Sequence, residues 1–313
     1  MSITITGGFT ASGGGWTLEA PPAGVKAIFG YGLTTVVVSM TNLVSNTGVV
    51  ATDTTGVGTA RKYLAGAGYG TDKAIFGYGN NGSTTVSLTN LVSNTGVVAT
   101  DTAGVGTSRW LLAGAGYGTD KAIFGYGYTS VVVSMTNLVS NTGVVATDTT
   151  GVGTARYALA AAGYGGDKAI FGYGYTGTNT AITNLVSNTG VVATDTTGVG
   201  TARQYPSAAG YGTDKAIFGY GGNGVGSQLS MTNLVSNTGV VASDTTGVGT
   251  ARERLAAAGY GTDKAIFGYG YNPYLGGGDG LSMTNLVSNT GVVATDTTGV
   301  GTARYSLAAA SYG

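Results

Sequence analysis

The chain of 313 residues has no cysteine and no histidine, and charged side chains make up only 9% of it, 14 basic against 14 acidic for a formal net charge of +0. Without cysteine there are no disulfides and no thiolates. Without histidine there is no imidazole ligand, no Ser-His-Asp or Cys-His constellation, and no side chain that ordinarily moves protons near neutral pH. Sparse, balanced charge leaves no electrostatic footprint for nucleic acid or an anionic membrane. No run of 18 apolar residues occurs, and residues 1–8, MSITITGG, have neither a basic nor an apolar leader region. Neither export by a signal peptide nor membrane insertion is expected. The expectation is a non-enzyme with no catalytic residue, metal or cofactor.

What is abundant is glycine, 59 residues, within a chain that is 42% hydrophobic. That apolar share is globular, and the pattern is periodic. The phrase KAIFGYG begins at Lys26, Lys73, Lys121, Lys168, Lys215 and Lys264, with offsets of 47, 48, 47, 47 and 49 residues. Six copies at this period mean one supersecondary unit, reused, that buries its apolar faces only against its neighbours.

The fourth copy reads as four short strands between glycine turns: A at about 157–164, B at 168–173, C at about 181–187 and D at about 190–196. Strand A holds only small residues at its centre, Ala160-Ala161-Ala162-Gly163, as the crowded innermost strand of a ring requires. The first copy enters at strand B with Lys26, whereas the chain finishes on a spare strand A after Arg304. The expected fold is therefore all-β: a six-bladed β-propeller of four-stranded blades over residues 26–313, its ring closed by the C-terminal strand so that no sheet edge is left open. Residues 1–25 form a separate N-terminal arm for attachment or capping. Trp16-Thr17-Leu18-Glu19-Ala20 is a rival for the vacant inner slot, but it lacks the alanine pattern and runs into Pro21-Pro22.

Arg156, the small residues 159–163 and Ala169-Ile170-Phe171-Gly172-Tyr173-Gly174 resemble a kelch-type propeller blade, which runs from an arginine at the D-to-A junction through a small inner strand to an apolar strand ending in a glycine doublet. Gly-Tyr-Gly replaces the doublet, and Asn184-Leu185 and Val191-Val192 stand where kelch blades carry tyrosine and tryptophan. The resemblance implies blade geometry and names no partner. The phrase TNLVSNTGVVATDTTGVGTAR followed by GYGTDKAIFGYG is also similar to repeats in virion structural and tail-fibre proteins of tailed bacteriophages. That resemblance implies a virion-surface adhesin or fibre tip, held to other virion proteins by its arm.

Most charges belong to the repeat. Asp53, Asp101, Asp148, Asp195, Asp244 and Asp296 each precede an arginine by eight residues: Arg61, Arg109, Arg156, Arg203, Arg252 and Arg304. The structural reading is a turn tied by arginine–carboxylate hydrogen bonds, within a blade or to its neighbour; the functional alternative is an axial anion site. Asp-Lys pairs such as Asp167-Lys168 read as solvated turn residues. The GxGxxG run at 172–177 ends a strand in an all-β unit, so it is a glycine turn and not a dinucleotide loop. Outside the repeat frame only Glu19, Glu253 and Asp279 could supply paired carboxylates for glycoside hydrolysis.

The copies differ in two places: after GYG (33–35, 80–83, 128–130, 175–179, 222–228, 271–280) and in the two residues after each arginine. In an antiparallel A-B-C-D blade, the B-to-C loop and the D-to-A junction emerge at one end, so both variable sets meet on one face. That face collects Tyr63, Trp110, Tyr128, Tyr157, Tyr175, Tyr205, Arg254, Tyr271, Tyr274 and Tyr305, rigid aromatic area with polar handles. The expected ligand is a cell-surface glycan or protein receptor. The alternatives are drift of unrestrained loops, and a purely structural virion decoration whose loops meet neighbouring subunits.

Overall fold

The computed structural model describes residues 9–12, 15–18, 25–224, 227–275 and 280–313. Every regular element among them is a strand. β1 (Phe9–Ser12) and β2 (Gly15–Leu18) form a small antiparallel hairpin in the arm. The repeats follow, beginning with β3 (Lys26–Leu33) and β4 (Val37–Val44). The second contains β5 (Ala65–Tyr69), β6 (Lys73–Gly77) and β7 (Thr89–Val92), and the third β8 (Ala113–Tyr117), β9 (Lys121–Tyr128) and β10 (Val132–Val139). The fourth contains β11 (Ala160–Tyr164), β12 (Lys168–Gly172) and β13 (Thr183–Val186). The fifth contains β14 (Ser207–Tyr211), β15 (Lys215–Gly222) and β16 (Gln228–Val235). The sixth contains β17 (Ala256–Tyr260), β18 (Lys264–Gly270) and β19 (Leu281–Val287), and the chain ends on β20 (Ala308–Tyr312).

The eighteen strands β3 to β20 make six three-stranded antiparallel sheets. β20 supplies the strand that the first repeat lacks, pairing Tyr312 with Lys26 and Ala308 with Gly30. The inner strands β20, β5, β8, β11, β14 and β17 touch in that order, and β17 returns to β20. A Cβ on Gly66 of β5 would stand 2.5 Å from the Ala309 carbonyl of β20; the strand rich in glycine and alanine follows from this crowding, which overrides alanine's preference for helix.

The core lies between sheets. Ala65, Ala67 and Tyr69 point into one buried cluster with Leu112, Ala122 and Phe124 of the next sheet, and six such clusters fill the six gaps. The middle strands, buried on both faces, therefore read as continuous apolar runs.

The expected fourth strand is not a regular one. Val50 and Thr54 make isolated bridges to Val44 and Thr41. Ala51 N donates to Leu43 O at 2.8 Å, while Thr54 N donates to Thr41 O at 2.7 Å. Two residues of β4 thus face three of the outer segment, a bulge. The Asn42 side chain fills it, donating to Ala51 O at 3.0 Å and to Asp53 Oδ1 at 2.9 Å. Strand A is also shorter than expected: Ala158, at φ 53°, breaks the chain before β11 starts.

Each joint between sheets is locked by a buried arginine. Arg304 donates through Nε to Tyr31 O (2.9 Å), through Nη2 to Asn42 Oδ1 (2.7 Å) and through Nη1 to Thr302 O (3.2 Å), and its guanidinium lies 4.3 Å from the centre of the Tyr269 ring. Asp53 accepts from Thr302 N and Oγ1, the latter at 2.6 Å, and stands 3.8 Å from Arg304 Nη1. The eight-residue spacing in sequence therefore does not mark the contact: Asp53 serves Arg304, and Arg61 reaches Asp101 at 3.6 Å. Nor is the tie an arginine–carboxylate hydrogen bond, since the arginines spend their donors on asparagine and backbone oxygens. The arginine tie at the joint between the two ends of the chain has the same donors and acceptors as those of Arg109, Arg156 and Arg252.

Candidate functional site at the variable mouth

All inner strands start at one end of the axis and finish at the other, giving two mouths. At the starting mouth lie Tyr63, Leu111, Ala158, Tyr205, Arg254 and Ser306, all left-handed with φ between 53° and 57°. Their backbones form a closed circle. Tyr63 N donates to Ser306 O (2.8 Å), Ser306 N to Arg254 O (2.8 Å) and Arg254 N to Tyr205 O (3.3 Å); Tyr205 N donates to Ala158 O (2.8 Å), Ala158 N to Leu111 O (2.9 Å) and Leu111 N to Tyr63 O (3.0 Å). A left-handed conformation costs a non-glycine residue about 1 kcal/mol or more, and it persists where the surroundings over-determine it.

One residue earlier, the two variable sets are joined by backbone bridges: Lys62 to Asn80, Trp110 to Tyr128, Tyr157 to Tyr175, Gln204 to Gly222, Glu253 to Tyr271 and Leu33 to Tyr305. The rings then interlock. Centroids are 5.1 Å apart for Tyr63–Trp110, 6.2 Å for Trp110–Tyr128, 5.5 Å for Tyr128–Tyr157 and 5.4 Å for Tyr157–Tyr175. Tyr271 and Tyr305 are 4.8 Å apart on the other side. The Tyr63–Trp110, Trp110–Tyr128 and Tyr128–Tyr157 pairs are edge to face, as suits the aromatic quadrupole, and the other two are tilted. All these residues are half-buried, so they form a shelf and not a set of protruding loops. Tyr274 alone of the expected site residues stands clear, 72% exposed in the loop beyond Tyr271.

Arg254 is the hub, 4.6 Å from the Tyr205 ring centre, 5.8 Å from Tyr271 and 5.9 Å from Tyr63. Its Nε lies 3.2 Å from Glu253 Oε1. Glu253 occupies the space left by Gly222, the small counterpart of Tyr128 and Tyr175 in other repeats. Burial pushes the Glu253 carboxyl above its ordinary value, with Arg254 opposing. The Tyr205 hydroxyl is pushed up to about 12, chiefly by burial. Beneath this cluster lies a cavity of about 120 Å³ walled by inner-strand residues and Ser306, whose buried Oγ has no hydrogen-bond partner among the described residues. The left-handed circle carries no signal in sequence, because tyrosine, leucine, alanine, arginine and serine are not the residues that ordinarily mark positive φ.

The opposite mouth is constant. Gly70 N donates to Asp120 O at 2.7 Å, and the relation repeats around the axis, Val25 O taking the aspartate's place for Gly261 N. Val25, which leads into β3, therefore lies at the constant mouth. Lysine and aspartate neighbours pair there at 2.6–2.8 Å around a cavity of about 360 Å³.

No protein-family model and no curated protein matches the chain. Among the described residues no helix is long and apolar enough to cross a membrane, and no three acidic groups cluster as metal ligands would. Glu19 and Asp279 fall outside the described residues.

Proposed function

We propose that the chain is a six-bladed, kelch-like β-propeller, each blade being one three-stranded sheet with its bulged outer segment as the fourth strand. It is a non-enzymatic recognition module that binds a cell-surface glycan or protein through the variable mouth. The observation that carries this reading is the coincidence of two variable sets on one contiguous aromatic shelf, on a frame otherwise copied six times. The entry of the chain into the ring at the other mouth, at Val25, supports a mounted module that presents its variable mouth outward. With the phage-like wording of the repeats, the reading extends to a virion-surface protein anchored through residues 1–25.

A glycan array and a cell-binding assay, run on the native chain and on a Trp110→Ala, Tyr128→Ala variant, test the reading. Selective binding that the variant loses is expected. Equal behaviour of the two removes the case for this mouth.

A further inference from the structure

Resting on that recognition reading, we infer that the ligand is an acidic oligosaccharide. One carboxylate sits on the Arg254 guanidinium at the axis, and the sugar rings run outward over Tyr63, Trp110, Tyr128 and Tyr157.

Of the seven arginines in the sequence, six are fully buried and bonded into the joints. Arg254 differs from them all. Its side chain is 26% exposed, its Nε lies 3.2 Å from Glu253 Oε1 yet makes no hydrogen bond, and no hydrogen bond joins its guanidinium to an acceptor among the described residues. Three tyrosine rings clamp the guanidinium carbon, Tyr205 at 4.6 Å and Tyr271 and Tyr63 at 5.8 and 5.9 Å; a guanidinium held by ring faces keeps its N–H fork for a further partner. A planar carboxylate matches that fork with two parallel charge-assisted hydrogen bonds. The clamp fixes the side chain before binding, so little rotamer entropy is lost when the ligand arrives. Lys62 Nζ, 5.7 Å from the Tyr63 ring centre, adds a second positive charge beside the path and offsets Glu253.

The path outward decides for sugar over peptide. From Arg254 it passes to Tyr63 and on through Trp110, Tyr128 and Tyr157 in steps of 5.1–6.2 Å. These rings pack against one another edge to face, so no pocket opens between them for a protruding side chain. A shallow aromatic shelf takes the flat C–H face of a pyranose, while Lys62 and Gln204 at its margin can meet hydroxyl groups.

The test is an array of uronic-acid and sialic-acid oligosaccharides, each beside its carboxyl-reduced counterpart, followed by titration calorimetry of the full chain. At least one acidic member is expected to bind, with its reduced counterpart weaker by about tenfold or more, the share of a charge-assisted pair. Arg254→Gln should fall to the same level and Arg254→Lys between the two. Should Arg254→Gln melt early, the comparison of acidic with reduced sugar on the native chain decides alone. Equal binding of both sugars, or unchanged binding by Arg254→Gln, overturns the acidic assignment; the recognition mouth then stands if Trp110→Ala still abolishes binding. Hexaglutamate bound as tightly as any acidic sugar overturns it in favour of peptide. An array with no acidic sugar bound overturns it outright.

Discussion

The Ser311 hydroxyl donates to the Gly259 carbonyl at 2.8 Å. Ser311 lies on the closing strand β20 at the position that is glycine in the other five inner strands: Gly68, Gly116, Gly163, Gly210 and Gly259. Elsewhere around the axis these glycines only abut the neighbouring carbonyl. The joint between the last and the first repeat thus has a latch that the internal joints lack. Ser311→Ala keeps the Cβ and removes the bond, and should lower unfolding stability by about 1 kcal/mol. Urea denaturation measures it, and an unchanged midpoint would show the latch to be idle.

Closure makes a stronger demand on the whole strand. Removing residues 307–313 leaves β3 with an unpaired edge, and that edge templates association with another chain. The shortened protein is expected to form dimers or larger species that exchange strands, seen as concentration-dependent mass in light scattering. A folded, monodisperse monomer of the shortened chain would mean that five complete sheets hold the ring without closure.

Much of this frame was legible in sequence because it depends on period and side-chain size. The 47-residue repeat, the small inner strand and the spare C-terminal strand are local patterns with one geometric solution. What was not legible depends on side chains far apart in sequence. Asn42 and Asp53 meet Arg304 across the closing joint, so of the two ties left open by the sequence, within a blade or to its neighbour, it is the neighbour's that forms. The bulge that makes the outer segment irregular needs the Asn42 amide to bind Ala51 O. The aromatic residues of the mouth could be named from their variability. Their burial into a shelf could not, because it follows from bridges such as Trp110 to Tyr128.

The same joints set the acid limit of the fold. Burial alone would raise the Asp53 carboxyl, but hydrogen bonds from Thr302 and Asn42 and the charge of Arg304 hold it below the usual range; Asp101, Asp148, Asp195, Asp244 and Asp296 are held likewise. A folded-state pKa below the unfolded one means that the unfolded chain takes up protons first. The stabilisation is complete above about pH 4 and is lost as pH falls through the folded values. The thermal midpoint should therefore be flat from neutral pH to about pH 5 and fall steeply below about pH 4. Asp53→Asn should lower the plateau and shorten the fall, and a midpoint that rises on acidification would contradict the assignment.

Glu253 works in the opposite direction. Burial raises its carboxyl, so its folded pKa lies above the unfolded value; the fold favours the protonated form, and stability is lost as pH rises through the folded pKa. Glu253→Gln fills the same space beside Gly222 and keeps a polar oxygen near Arg254, without the buried charge. It should leave stability at neutral pH unchanged or higher by up to about 1 kcal/mol, and it should tighten binding of an acidic oligosaccharide by freeing the Arg254 charge. Glu253→Ala leaves the space empty and the guanidinium without its partner, and should cost about 1–3 kcal/mol. Paired urea titrations separate the two variants. If Gln proves as costly as Ala, the carboxylate charge itself holds the mouth together, and the acidic-ligand assignment loses its electrostatic basis.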